Sequence, residues 1–208
     1  MYLVKPETER VGGVLVLHSW WGLNGFFRDL CGRFAEQGFV ALAPDLYDGR
    51  IATTIAEARE LRTQATASRS EPAYRYLIRM IGELRQEVAG GVGVVGFSMG
   101  GHWACWLAQR PELPIAATVT FYAARAGDYS GSRSAFLGHF AETDEWVSAA
   151  GVKRFERSLA RAGRECRLHT YEGTRHWFFE ADRKDVFDAE SAALAWQRTV
   201  SFLEGRLG

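Results

Sequence analysis

The chain has few cysteines, no net charge and no long apolar run, and each shortage argues against a class of function. Its 3 cysteines are scattered without a CxxC pair, which argues against a disulfide framework or a metal site such as zinc. Lysine plus arginine equals aspartate plus glutamate at 25 each, so no excess charge favours nucleic acid or an anionic membrane. No stretch reaches the roughly 18 apolar residues that a membrane span needs.

The N-terminal segment MYLVKPETERVGG also lacks an apolar run, so we do not expect it to act as a signal peptide. The composition indicates a globular protein, most simply cytoplasmic. A length of 208 residues fits one domain, residues 1–208, and the 47% of hydrophobic residues can fill a sizeable core.

Short β-branched runs alternate with helical patterns along the chain. Buried strands are predicted over residues 13–18, 39–44, 92–96, 115–122, 134–141 and 165–172. Helical spacing occurs between them, most clearly over residues 74–88, 152–162 and 189–203. Thr54 and Glu57 form a capping box, and Ser70 is expected to cap the next helix with Pro72 in its first turn. The alternation predicts an α/β fold: a mostly parallel sheet with helices on both faces and its functional residues at the carboxyl ends of strands.

The segment GVGVVGFSMGGHWA, residues 91–104, contains two overlapping motifs. Gly91 to Gly96 spell GxGxxG, but dinucleotide-binding glycines follow a strand, whereas these lie across the only available strand. No Lys-Ser/Thr pair follows them, so a Walker loop is also disfavoured. Gly96 to Gly100 spell GxSxG, and here the strand precedes Ser98 and a helical pattern follows it, as a nucleophile turn requires. A serine that merely caps the helix is the alternative.

A nucleophilic serine needs a base and a carboxylate that orients the base, and in this architecture they follow the serine in the order acid, then histidine. The loop HFAETDEWV offers Glu142, Asp144 and Glu145 after one predicted strand. The loop YEGTRHWFF offers His176 after the next strand. The remaining candidate histidines fit less well because they lie inside a predicted helix or predicted strands: His102, His139 and His169.

Two amide donors would have to hold an oxyanion beside Ser98. We expect one from Met99, directly after the serine, and the other from Trp20 in the loop HSWWGLNGF. Aromatic side chains flank all of these motifs, which suits an apolar or aryl group in the substrate. The flanking aromatic residues are Trp20, Trp21, Phe97, Trp146, Trp177 and Phe179. Trp21, Trp146 and Trp177 are the ones that we predict to contact substrate.

With these motifs in order, the chain resembles the dienelactone hydrolase family of α/β-hydrolases from about residue 13 to its end. The resemblance rests on HSWWGLNGFFRDLCGRFAEQGFVALAPDLYDG, GVVGFSMGG, HFAETDEWV, YEGTRHWFFE and AALAWQRTVSFL. It implies an α/β-hydrolase core of at most eight strands without a large lid. It also implies hydrolysis of a small ester or lactone through an acyl-enzyme, without a cofactor. Carried over to this sequence, the catalytic residues would be Ser98, Asp144 and His176.

Two departures from the family pattern bear on the chemistry. Ser98 stands where the family has its cysteine nucleophile, and Ser19 stands where the family has a glutamate after the first-strand histidine. The two changes agree because that glutamate helps to activate the cysteine, whereas a hydroxyl must rely on His176. The family's arginine four residues after the catalytic histidine is Glu180 here, and a carboxylate there would repel an anionic substrate. We therefore predict a small, neutral ester. The arginines that could replace the lost charge are expected to be solvated surface residues: Arg75, Arg79 and Arg125.

The sequence leaves other functions open. An acyltransferase or a peptidase would use the same three residues, and a non-catalytic binding protein on the hydrolase fold would be expected to have lost one of them. The expected partner is a small ester or lactone, not nucleic acid or a membrane. The sequence does not separate a monomer from a homodimer.

Overall fold

The structure is a computed structural model that describes residues 1–7, 12–67 and 72–208. Its strands are β1 (Tyr2–Val4), β2 (Gly12–Leu17), β3 (Phe39–Ala43), β4 (Val92–Phe97), β5 (Ile115–Phe121), β6 (Ala135–Thr143) and β7 (Cys166–Arg175). They form one sheet in the order β1-β3-β2-β4-β5-β6-β7. β1 runs antiparallel to β3, and the other neighbouring pairs are parallel. The prediction of a mostly parallel sheet is therefore confirmed.

Helices pack on both faces of this sheet. They are α1 (Gly25–Glu36), α2 (Ile55–Ala67), α3 (Ala73–Glu87), α4 (Met99–Ala108), α5 (Ala149–Arg161) and α6 (Ala189–Leu207). Apolar residues of α1 and α6 share one buried cluster, and those of α3 and α4 share another. The described residues include no separate lid domain and no helix that is both long and apolar enough to cross a membrane.

Burial on both faces explains why the strands read as continuous apolar runs. In β2, Val14 and Val16 belong to the cluster with α1 and α6, whereas Leu15 and Leu17 belong to the cluster with α3 and α4. Successive side chains of a strand point to opposite faces, so a strand covered on both sides needs apolar residues at every position.

The elements agree with the predictions except at four places: near the chain start, at the start of α3, between β5 and β6, where the described residues contain no helix, and in β7, which is largely half-buried or exposed instead of buried. β1 was not predicted, because three half-buried residues at a sheet edge carry too short a pattern. The capping box is confirmed, since the Glu57 amide donates to Thr54 Oγ1 at 3.2 Å and the Thr54 amide donates to Glu57 at 3.1 Å. Pro72 is the N-cap of α3 instead of lying in its first turn. Ser70, the predicted cap, lies outside the described residues.

Glycines allow α4 to begin directly against the strand ends. A Cβ atom at Gly96 would overlap the carbonyl group of Gly100, and one at Gly100 would overlap the carbonyl oxygen of Leu17. A Cβ atom at Gly101 would overlap the Ala123 side chain. The start of α4 thus touches the backbone at the end of β2, which brings the loop after β2 next to residue 98.

We predict that Gly100→Ala lowers the free energy of unfolding by about 2 kcal/mol or more, because its methyl group meets backbone atoms that cannot move aside cheaply. Gly82→Ala is the matched control. Gly82 lies inside α3, and a Cβ atom there would have no neighbour within 4 Å, so alanine should stabilise the protein by about 0.5–1 kcal/mol. Urea unfolding measures both, and a Gly100→Ala variant as stable as the parent would contradict the close approach.

Candidate active site

Ser98 occupies the sharp turn between β4 and α4. Its φ of 49° and ψ of −110° are unusual for a residue with a side chain, and such strain persists only where the surroundings hold it. The Ser98 amide donates to the carbonyl of Phe121 at 2.9 Å, which ties the turn to the end of β5. The Ser98 side chain makes no capping hydrogen bond to α4. The helix-cap alternative is therefore wrong.

His176 lies directly after β7 and connects Ser98 with Asp144. Its Nε2 is 2.9 Å from Ser98 Oγ, and its Nδ1 is 2.7 Å from Asp144 Oδ2. A carboxylate accepts hydrogen bonds, so Nδ1 carries the hydrogen and Nε2 is left to accept from the serine hydroxyl. The side chains of His176 and Asp144 are each 4% exposed. This arrangement allows the imidazole to take a proton from the hydroxyl.

Asp144 is the carboxylate that the fold orients toward the imidazole. Its Oδ1 accepts hydrogen bonds from the amides of Trp146 at 2.8 Å and Val147 at 2.9 Å, which leaves Oδ2 for the histidine. Glu142 instead accepts a hydrogen bond from the β7 backbone, and Glu145 is exposed. Of the three acids that the sequence offered in this loop, the structure brings only Asp144 to the histidine.

The other histidines lie where the sequence placed them. His139 in β6 is buried, with Nδ1 2.7 Å from the Tyr171 hydroxyl and Nε2 3.0 Å from Thr199 Oγ1. His169 lies in β7. His102 in α4 borders the same cavity as Ser98, but within the described residues its imidazole makes no hydrogen bond with the Ser98 hydroxyl; only its backbone amide donates to the Ser98 carbonyl, at 3.1 Å. Burial, together with the positive charge of Arg125 and of protonated His176, lowers the pKa of His102.

A cavity of about 810 Å³ opens beside Ser98 and His176. Of the chain's 7 tryptophans, those lining it are Trp20, Trp103, Trp106, Trp146 and Trp177. Trp146 and Trp177 therefore lie where a substrate contact was predicted. Trp103 and Trp106 were missed, although with Met99 they follow a helical spacing of three to four residues on α4.

Trp21 does not line the cavity, so its predicted substrate contact is not supported. Its side chain is 3% exposed, and its ring lies 5.2 Å from the Trp177 ring and 3.9 Å from the Arg183 guanidinium group. Phe97 and Phe179 are likewise buried in the core. Trp21 supports the cavity wall from behind through Trp177, and Phe97 does so through Tyr122.

Positive side chains border the same cavity. The arginines that line it are Arg59, Arg62 and Arg125, and no carboxylate is among its described lining residues. The expectation that Arg125 is a solvated surface residue is therefore wrong. Arg75 and Arg79 are exposed on α3, as expected, and Arg79 pairs with Glu83 at 2.8 Å.

Glu180 lies outside the cavity, which corrects its predicted role. It is fully buried, and its carboxyl group accepts hydrogen bonds from the Tyr122 hydroxyl at 2.7 Å and from Ser19 Oγ at 2.9 Å. Burial raises the pKa of Glu180 to about 8, although both hydrogen bonds act in the opposite direction. A buried acid that is largely protonated at neutral pH does not repel an anionic substrate.

Met99 and Trp20 are the residues whose amides were predicted to be the oxyanion donors. Both residues line the cavity with Ser98, and Met99 is in the first turn of α4, where amides lack partners within the helix. The Trp20 amide donates no hydrogen bond within the described residues. The peptide group between Ser19 and Trp20 is held at its carbonyl oxygen, because His18 Nδ1 donates a hydrogen bond to the Ser19 carbonyl at 2.6 Å.

The buried carboxyl group of Glu180 should make the protein less stable as the pH rises. Its pKa is raised from 4.5 to about 8, so the folded protein binds this proton more tightly than the unfolded chain does. The resulting stability is fully present below pH 4.5 and is lost as the pH rises through about 8. We predict that Glu180→Gln removes this loss. Urea midpoints at pH 5 and pH 9 measure it, and an equal drop in both proteins would contradict the assignment.

Comparisons with known proteins agree with this fold. The sequence profile of the "Dienelactone hydrolase family" matches residues 1–207. The chain is 32% identical to "Protein usf" of Aquifex pyrophilus and 30% identical to a "Putative carboxymethylenebutenolidase" of Aquifex aeolicus, in each case over 98% of this chain and 91% of the relative. The fold matches a crystal structure of a "Putative Dienelactone Hydrolase" from Klebsiella pneumoniae, with a TM-score of 0.81 and 22% identity over 96% of this chain and 90% of that one. The chain belongs to the dienelactone hydrolase family of carboxylic ester hydrolases.

Proposed function

We propose that the protein is a serine hydrolase that cleaves a small ester or lactone through an acyl-enzyme, and that residues 1–208 form one domain that carries this activity. The observation that supports it best is the continuous hydrogen-bonded chain from Ser98 Oγ through His176 to Asp144, with distances of 2.9 and 2.7 Å. Membership of a hydrolase family supports the same reaction class.

Each group has one role in the proposed reaction. Ser98 attacks the substrate carbonyl while His176 takes its proton, and the imidazolium then gives that proton to the leaving alcohol. Asp144 holds the imidazole in the required tautomer and stabilises its positive charge. The amides of Met99 and Trp20 stabilise the oxyanion. Water then releases the acid with the help of the same groups.

We predict that Ser98→Ala abolishes labelling by a fluorophosphonate probe and lowers kcat/KM for p-nitrophenyl butyrate by at least about 1,000-fold, because the attacking oxygen is lost. Asp144→Asn should lower kcat on the order of 10⁴-fold, because the amide no longer selects the reactive tautomer of His176.

Glu145→Gln is the matched control, since Glu145 is an exposed acid one residue beyond Asp144 and should leave kcat unchanged. Probe labelling that survives Ser98→Ala would refute the proposed nucleophile. A protein that only binds ligands would show neither labelling nor hydrolysis. An acyltransferase or a peptidase would label but would prefer an acceptor other than water, or an amide substrate.

The lining of the cavity favours an ester or lactone that carries a carboxylate. The predicted preference for neutral esters depended on Glu180, which does not face the cavity, whereas three arginines do. Arg125 makes no ion pair within the described residues, so its charge is available to a substrate anion.

We predict that Arg125→Gln raises KM for a carboxylate-bearing lactone about 10-fold, the equivalent of one charge-assisted contact of roughly 1.4 kcal/mol, and leaves KM for p-nitrophenyl acetate unchanged. Arg75→Gln, an exposed arginine on α3, is the matched control and should alter neither value. Equal KM changes for the two substrates in Arg125→Gln would argue against a carboxylate at this position.

A further inference from the structure

Glu180 is a buried acid that the proposed reaction steps do not use. It is 0% exposed and makes no ion pair within the described residues. Burying a carboxyl group costs free energy unless its oxygens are hydrogen-bonded. Each of its two oxygens accepts one hydrogen bond, from Tyr122 and from Ser19. Both donors belong to segments that border the candidate active site.

The two hydrogen bonds connect three loops at the carboxyl ends of strands. Ser19 follows β2 and precedes Trp20, whose amide is a proposed oxyanion donor. Tyr122 follows β5 directly, and Glu180 lies four residues after His176 in the loop that follows β7. Ser19 and Glu180 are 161 residues apart along the chain, so their contact joins the first of these loops to the last.

Tyr122 links Glu180 to the histidine. Its ring centroid is 4.8 Å from that of His176, and its hydroxyl is 2.7 Å from the Glu180 carboxyl group. Its φ of 41° is strained, and its amide donates to the His139 carbonyl at 2.7 Å. The hydrogen bond that the Tyr122 hydroxyl donates to Glu180 therefore fixes the far end of a ring that packs against the imidazole.

Ser19 links Glu180 to the proposed oxyanion site. Its carbonyl accepts from His18 Nδ1 at 2.6 Å and its hydroxyl donates to Glu180 at 2.9 Å, so the residue is held at two points. The peptide group between Ser19 and Trp20 is rigid, and fixing Ser19 also fixes the direction of the Trp20 amide.

We infer that Glu180 is a positioning residue. Through Ser19 and Tyr122, its carboxyl group holds the Trp20 amide and the His176 ring in their positions relative to the Ser98 hydroxyl. This inference rests on the proposed function. Because Glu180 does not line the cavity, its loss should reduce kcat and leave substrate binding largely unchanged. A misplacement of about 1 Å in such a site can cost on the order of 100-fold in rate.

The test compares Glu180→Gln with Glu180→Leu, using kcat per active site titrated with a fluorophosphonate probe. The pKa of about 8 makes the native carboxyl group largely uncharged at pH 7, so a carboxamide leaves the charge unchanged, and it keeps both hydrogen bonds when its NH2 group donates to one of the two hydroxyls. Glu180→Gln should retain at least about a third of wild-type kcat. Glu180→Leu should lose about 10- to 100-fold in kcat, with KM within about threefold of wild type.

Ser134→Ala is the control for lost stability alone. It removes the buried hydrogen bond between Ser134 and Thr118 and should lower the melting temperature without changing kcat per active site. Wild-type kcat in Glu180→Leu, or equal losses in Glu180→Gln and Glu180→Leu, would overturn the inference.

Tyr122→Phe keeps the test decisive if Glu180→Leu does not fold, because it removes one hydroxyl and preserves the ring. Tyr122→Phe should lower kcat about 3- to 10-fold with little change in KM. An unchanged kcat would overturn the inference that Glu180 positions His176 through Tyr122. Ser98→Ala, measured alongside, separates the two proposals: full hydrolysis by Ser98→Ala would refute the proposed function whatever the Glu180 variants show.

Discussion

The backbone contact between the start of α4 and the end of β2 is the constraint on which the candidate site depends. It requires glycine at position 100, since any Cβ atom there would overlap the Leu17 carbonyl oxygen. The contact places Ser98 beside the loop that carries Trp20. Parallel pairing then brings the ends of β5, β6 and β7 to the same edge, where Tyr122, Asp144 and His176 follow directly.

The site contains two buried acids with different partners. Asp144 accepts from two backbone amides and from His176, all nitrogen donors that suit a carboxylate anion. Glu180 accepts only from two hydroxyls, and burial raises its pKa. Burial therefore raises the pKa of Glu180 against the effect of its two hydrogen bonds, whereas the Asp144 carboxylate is surrounded by nitrogen donors.

The fold and the three central residues could be predicted because their signals are local and ordered along the chain. Most of the predicted strands are apolar runs, the one over residues 165–172 being of mixed polarity, and Ser98, Asp144 and His176 each follow one of the predicted strands. The directions of side chains in the loops could not be predicted in the same way. Trp177 has a φ of 69°, and the turn that follows it buries Glu180 against Ser19, a residue 161 positions away. No local pattern reports a contact of that kind.

The wall of the cavity has a physical consequence for the histidine. Trp20, Trp146 and Trp177 pack on one another with ring centroids 4.9 to 6.0 Å apart, and Trp177 also lies 4.6 Å from the His176 ring. The side chains of His176 and Asp144 are each 4% exposed, so little water reaches the hydrogen bond between them, and electrostatic interactions strengthen where water is excluded. The arginines that line the same cavity as His176 are Arg59, Arg62 and Arg125. The aromatic wall therefore covers one side of the imidazole, while the cavity that the imidazole borders carries positive charge.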